Sequence, residues 1–100
     1  MIIVVGTIEV AEGDRNRFLD SRREQATHSL AEAGCLDYSF ATDAADPCRV
    51  RLLERWEQMG DLEAHLAGLR SSGSAPEPAV PSRYVDMAVY EATPVEPPWA

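Results

Sequence analysis

The sequence predicts an α+β domain of order β-α-β-β-α-β, a four-stranded antiparallel sheet with two helices on one face. Three observations carry this. The first ten residues are Ile- and Val-rich and apolar on both sides, as in a strand covered on both faces. Two later stretches repeat apolar residues at helical spacing, and three alternate at the period of a strand. Turn chemistry separates each stretch from the next.

Taken in order, Ile2, Val4, Ile8 and Val10 share one side of the first strand, and Ile3 and Val5 the other. Glu12-Gly13-Asp14 then turns the chain, with Asp14 placed as an N-cap. A helix is expected over 15–33. Phe18, Leu19, Ala26, Leu30 and Ala33 form its stripe, Arg22 falls inside it, and Gly34 ends it.

Residues 35–42 and 48–57 read as a hairpin around Asp43-Ala-Ala-Asp-Pro47, pairing Thr42 with Cys48 and Tyr38 with Leu52. A second helix opens at Gln58 or Gly60, with Met59, Leu62, Leu66 and Leu69 as its stripe and His65 at the stripe's edge. Residues 71–83 hold three prolines, four serines and a glycine, which reads as a flexible loop. Tyr84 to Glu91 forms the last strand, and a proline-bearing tail follows over 93–100. The order is the ferredoxin-like one, giving one domain over 1–92. Two helices cover only one face of its sheet. The other face is expected to keep Ile3, Val5, Leu53, Val85, Met87 and Val89, which predicts a homodimer packed sheet on sheet.

Composition narrows the function. Seventeen acidic and nine basic residues give a net charge of −8. Nucleic-acid binding needs a basic face to displace counterions, so it is not expected. Association with an anionic membrane surface is disfavoured for the same reason. No apolar run approaches the ~20 residues of a membrane span, and the start reads as a strand, so a cytoplasmic location is expected. In the expected hairpin Cys35 and Cys48 lie about seven residues apart, roughly 23 Å at 3.3 Å per residue. That argues against a disulfide, and two reduced thiols fit the cytoplasm. No Cys/His spacing resembles a metal site.

Chemistry-bearing residues concentrate where the strand ending in Glu54, Arg55 and Trp56 meets the helix carrying His65. Trp56 shares a strand face with Leu52, Tyr38 and Phe40, as an aromatic wall for a flat ligand or as ordinary core. Glu54 points to the same side, as a general base or as a structural partner of Arg22 or His65. His65 has an unperturbed pKa of about 6.5, suited to proton transfer near neutrality, or is a boundary residue bonded to backbone. Arg22 is placed to hold an anion, or to reach past the apolar edge to water.

Several motifs occur in order over residues 1–92: Gly6-Thr-Ile-Glu-Val10, Phe18-Leu19, Ala33-Gly-Cys-Leu36 with Tyr38, Arg49 with Leu52-Leu-Glu-Arg-Trp-Glu57, Ala64-His-Leu66 and Val89-Tyr-Glu91. Together they resemble the antibiotic biosynthesis monooxygenase domain, a branch of the dimeric α+β barrels. The resemblance implies a dimer with a pocket between sheet and helices in each subunit. It also implies oxidation of a phenol-, anthrone- or quinol-like metabolite by O2 without metal, flavin or haem. His65 and Glu54 would then be catalytic, with Trp56, Tyr38, Phe40, Arg22, Leu52 and Leu62 around the substrate. Leu52 and Leu62 stand where anthrone-oxidising members carry an asparagine and a tyrosine. Gly6 and His65 stand where haem-degrading members carry an asparagine and a tryptophan, and the 71–83 loop lacks their haem-ligand histidine. The resemblance thus implies an activity other than haem degradation. An isomerase or cyclase on the same fold, and a non-catalytic dimeric binding protein, stand as alternatives.

Overall fold

The computed structural model describes residues 1–72 and 80–99. Its elements are β1 (Ile2–Val10), α1 (Arg15–Leu30), β2 (Cys35–Thr42), β3 (Arg49–Trp56), α2 (Met59–Ser72) and β4 (Ser82–Glu91). They form one antiparallel sheet of strand order β2-β3-β1-β4, the ferredoxin-like arrangement. β1 is central, which is why its sequence is apolar on both sides. Helix α2 runs two residues into the expected 71–83 loop, and β4 begins at Ser82; of the remainder, 73–81, residues 73–79 lie outside the described residues.

Every expected element is present, but details differ. Helix α1 ends at Leu30, not Ala33, because the Ala31 and Glu32 amides donate to the His28 and Ser29 carbonyls and tighten the last turn. Gly34 follows at φ +77°, a conformation that favours glycine. Asp14 holds the N-cap position without capping the helix; its carboxylate pairs with Arg17 at 3.4 Å. In α2, Leu62 and His65 are buried, whereas Met59, Leu66 and Leu69 are half-exposed. The helix is thus rotated from the stripe expected for it.

The β2–β3 hairpin is out of its expected register by two residues: Thr42 pairs with Val50, Phe40 with Leu52 and Tyr38 with Glu54. The turn is longer than its composition indicates. Asp43 Oδ1 accepts from the Ala45 and Asp46 amides, and Asp46 Oδ1 from the Cys48 amide, so pairing resumes only at Arg49. A shift of two leaves the side chains from Asp37 to Thr42 on their expected faces. Leu36 is an extra residue in β2 and is exposed. A second bulge, at Asp86 (φ 51°), inserts an extra residue in β4. It moves Val89 beside Val4, onto the helix-covered face, and Met87 over Gly6. The open face therefore carries Ile3, Val5, Leu53, Val85, Ala88 and Tyr90, not Met87 and Val89.

The core is two adjoining clusters between sheet and helices. One joins Ile2, Val4, Tyr38, Trp56 and Leu62; the other joins Ile8, Val10, Phe18, Val50 and Leu52, and Phe40 packs against both. The two ends of the domain are tied together. The Ala92 amide donates to the Met1 carbonyl at 2.8 Å, and the Met1 amine to the Ala92 carbonyl at 3.1 Å.

Candidate functional site

A cleft of about 340 Å³ opens between α1 and β2. Leu19, Ala26 and Leu30 form the apolar part of its helix wall, with Arg22, Arg23 and Thr27 among them, and Tyr38, Ser39 and Phe40 form its sheet wall. The aromatic rings continue inward from it. Phe18 meets Phe40 at 6.0 Å between centroids, Phe40 meets Tyr38 at 5.7 Å, Tyr38 meets His65 at 5.3 Å and His65 meets Trp56 at 4.9 Å. Edge-to-face and tilted contacts at these spacings suit the ring quadrupoles.

Of the eight residues expected at the site, Arg22, Tyr38 and Phe40 line the cleft. Trp56, His65 and Glu54 lie behind Tyr38, at 0%, 1% and 6% exposure. Leu62 joins the cluster of Trp56, and Leu52 the cluster of Phe18, so the two leucines do not form one wall. Arg22 stacks its guanidinium 4.7 Å from the Phe18 centroid, and its Nε is buried without a hydrogen-bond partner. Neither Arg22 nor His65 pairs with Glu54 through a hydrogen bond. Instead Trp56 Nε1 donates to Glu54 Oε1 at 3.0 Å.

Sequence reasoning missed two polar partners. Glu32 Oε1 lies 3.0 Å from His65 Nδ1; the carboxylate accepts the Nδ1 proton and leaves Nε2 as the basic nitrogen. Gln25 Nε2 donates to the Tyr38 hydroxyl at 2.9 Å. Arg22, Gln25, Ala26 and Ser29 recur at helical spacing on one side of α1. That periodicity could have marked Gln25, but no local pattern announces the Glu32 contact across 33 residues.

The electrostatics follow from burial. Desolvation pushes the Glu54 carboxyl above its ordinary range, while the Trp56 hydrogen bond and the field of His65 hold it down. Desolvation first, and then the Glu54 charge, push the Tyr38 hydroxyl well above its ordinary value. Tyr38 is therefore a neutral hydrogen-bond donor at physiological pH. The arrangement offers a cation and a hydroxyl donor at an apolar cleft, with a carboxylate-oriented imidazole one side chain behind. Among the described residues no cluster of His, Cys, Asp and Glu could hold a metal. No helix among them is long and apolar enough to cross a membrane.

An antiparallel sheet of this order, with both helices on one face and a cleft under the first, defines a ferredoxin-like α+β protein. The model of the antibiotic biosynthesis monooxygenase family matches residues 1–70, and the chain belongs to that family. Among solved structures it is similar to a protein from Deinococcus radiodurans described as a candidate antibiotic biosynthesis monooxygenase. That match is 21% identical, covers 97% of both chains and has a TM-score of 0.71. A protein of the same description from Chloroflexus aurantiacus is 18% identical over 96% of both chains, with a TM-score of 0.73. The haem degrader MhuD of Mycobacterium tuberculosis, solved with two haems in its active site, is 15% identical. It covers 97% of this chain and 100% of its own, with a TM-score of 0.73. At these identities the likeness is one of fold. No curated protein matches the chain.

Proposed function

We propose that this chain is a cofactor-independent monooxygenase of the cytoplasm, acting on a small aromatic metabolite with a phenol-, anthrone- or quinol-type oxygen. The observation that carries the reading is Arg22. Its Nε is buried and lacks a hydrogen-bond partner, on a cleft whose opposite wall is Tyr38 and Phe40. A cation left in that position suits a flat ligand bearing an oxyanion. The His65 Nε2, with Glu32 fixing Nδ1, is the base that takes the substrate proton. Glu54, above its ordinary pKa, helps to hold the imidazolium that forms. The carbanion or phenolate passes one electron to O2, the resulting radical and superoxide join as a peroxide anion, and that anion takes back the proton held on His65 to become the hydroperoxide. Loss of water leaves one oxygen atom in the quinone product and the other in the water.

The same reading takes 1–92 as one domain with 93–100 as a tail. It also takes the open sheet face as a homodimer interface, because Ile3, Val5, Leu53 and Tyr90 make an apolar surface of the kind that marks contacts between subunits. Haem suits these residues poorly: His28 is exposed outside the cleft, and His65 is enclosed by Tyr38, Trp56 and Glu32.

One observation favours a second reading, a non-catalytic binding protein: His65 is only 1% exposed. Oxygen uptake with anthrones and hydroquinones, chelator present, separates the two. Saturable uptake that falls at least about tenfold in His65→Ala supports the monooxygenase, since general-base catalysis is typically worth ~10²–10⁴. Uptake equal in both proteins, or no faster than buffer, supports the binding protein.

A further inference from the structure

We infer that Gln25 and Ser29 set the hydrogen-bond polarity of the α1–β2 cleft, so that Tyr38 and Arg22 both face it as donors and it selects aromatic ligands that bring an anionic oxygen. The inference rests on the reading of this cleft as the ligand site. It adds two positioning residues and a rule of selection.

The Tyr38 hydroxyl has one proton to give and lone pairs to receive. Gln25 Nε2 donates to its oxygen at 2.9 Å. A primary amide nitrogen is a donor only, so the Tyr38 proton must point elsewhere. Ser29 lies one turn beyond Gln25, is fully buried, and its Oγ makes no hydrogen bond of full geometry. It stands near enough to the Tyr38 hydroxyl to favour the ionised form. With Gln25 donating to that oxygen and Ser29 favouring its ionised form, the phenolic proton is left for an acceptor in the cleft.

Arg22, one turn before Gln25, has an Nε in the same condition. A guanidinium can never accept a hydrogen bond. The polar side chains lining this cleft are two arginines, Arg22 and Arg23, and the hydroxyls of Thr27, Tyr38 and Ser39; none is a carboxylate or an amide oxygen, so a ligand must supply the strong acceptor. A buried donor left without an acceptor carries a desolvation cost, so a ligand that brings only donors leaves that cost in place. Leu19, Ala26, Leu30 and Phe40 supply the apolar part of the wall. About 340 Å³ is at the small end for ligand pockets, enough for one or two fused rings.

The test compares 1-naphthoate, an anionic acceptor, with 1-naphthylamine, a neutral donor of similar shape, by calorimetry. Wild type is expected to bind the naphthoate at least about tenfold more tightly. Gln25→Glu keeps the shape of the side chain but turns the donor into an acceptor, which captures the Tyr38 proton. That preference should then fall below about threefold. Gln25→Leu frees the Tyr38 oxygen without adding charge and should lower naphthoate affinity by about threefold, which separates hydrogen-bond polarity from repulsion. Tyr38→Phe and Arg22→Met should each lower it about tenfold, with melting temperatures measured in parallel to show that the variants fold.

Equal affinities for both probes in wild type would overturn the selection rule while leaving the cleft as a ligand site. A preference unchanged in Gln25→Glu would overturn the role of Gln25. Failure of both probes to bind at millimolar concentration would overturn the cleft itself, and this inference with it.

Discussion

Replacing Trp56 with phenylalanine tests the buried polar pair at the heart of the fold. Trp56 is fully buried, and its Nε1 donates the hydrogen bond that Glu54 receives. Phenylalanine removes on the order of 40 Å² of buried apolar surface, which costs about 1 kcal/mol at ~25 cal/mol per Å². It also removes a hydrogen bond to a charged acceptor, worth about 1.5–3 kcal/mol. The expected loss is about 3 kcal/mol, or roughly 15 °C in Tm for a domain of this size. The loss should depend on pH. Glu54 already sits above its ordinary 4.5 because it is buried, and the Trp56 hydrogen bond restrains that rise. Without it the folded-state pKa climbs further. A carboxyl raised in the folded state stabilises below its unfolded pKa, and that stability is lost as pH rises through the folded value. The variant's deficit should therefore fall toward the packing loss of about 1 kcal/mol near pH 4.5 and be full at about pH 8. Thermal unfolding followed by circular dichroism, at fixed protein concentration, measures both. A Tm drop under about 5 °C at pH 8, or one equal at both pH values, would refute the assignment of Glu54 as a buried carboxylate held by the indole.

Gly34→Ala should cost about 2 kcal/mol or more, read by urea unfolding, because Gly34 has φ +77° and an added Cβ would meet the Asp61 side chain. Light scattering at micromolar concentration should give twice the chain mass, and Val5→Glu on the open face should shift it toward the monomer. A monomeric wild type would leave Ile3, Val5 and Leu53 without a role. His65→Ala should abolish most oxygen uptake with little change in KM for the aromatic probe; a rise in KM alone would assign His65 to binding.

The topology was legible because it is written in local periodicity: strand alternation in 36–41 and 50–56, helical spacing in 18–30, and punctuation at Gly13, Gly34 and Pro47. What escaped is non-local. The hairpin register depended on the Asp43 and Asp46 side chains taking backbone amides, which lengthened the turn beyond its bare composition. Val85, Met87 and Val89 alternate perfectly in sequence, yet the bulge at Asp86 puts Met87 and Val89 on the opposite face from Val85. At the candidate site, the shared face of Tyr38, Phe40, Glu54 and Trp56 was readable from strand parity. The burial of His65 was not, because a histidine beside Leu62 and Leu66 looks like the edge of a stripe. Its contact with Glu32 spans two elements and depends on α1 stopping at Leu30.

Both irregularities of the sheet fall on its outer strands: the extra Leu36 in β2 and the extra residue at Asp86 in β4. The inner strands, β1 and β3, pair with each other without interruption. An outer strand normally presents a row of free amides and carbonyls on which another chain can build. Here each row is broken, and on β4 the break carries an acidic side chain. Growth into open-ended ribbons is thereby discouraged on both flanks, while the uninterrupted central strands keep the open face continuous, as the proposed closed contact between two copies requires.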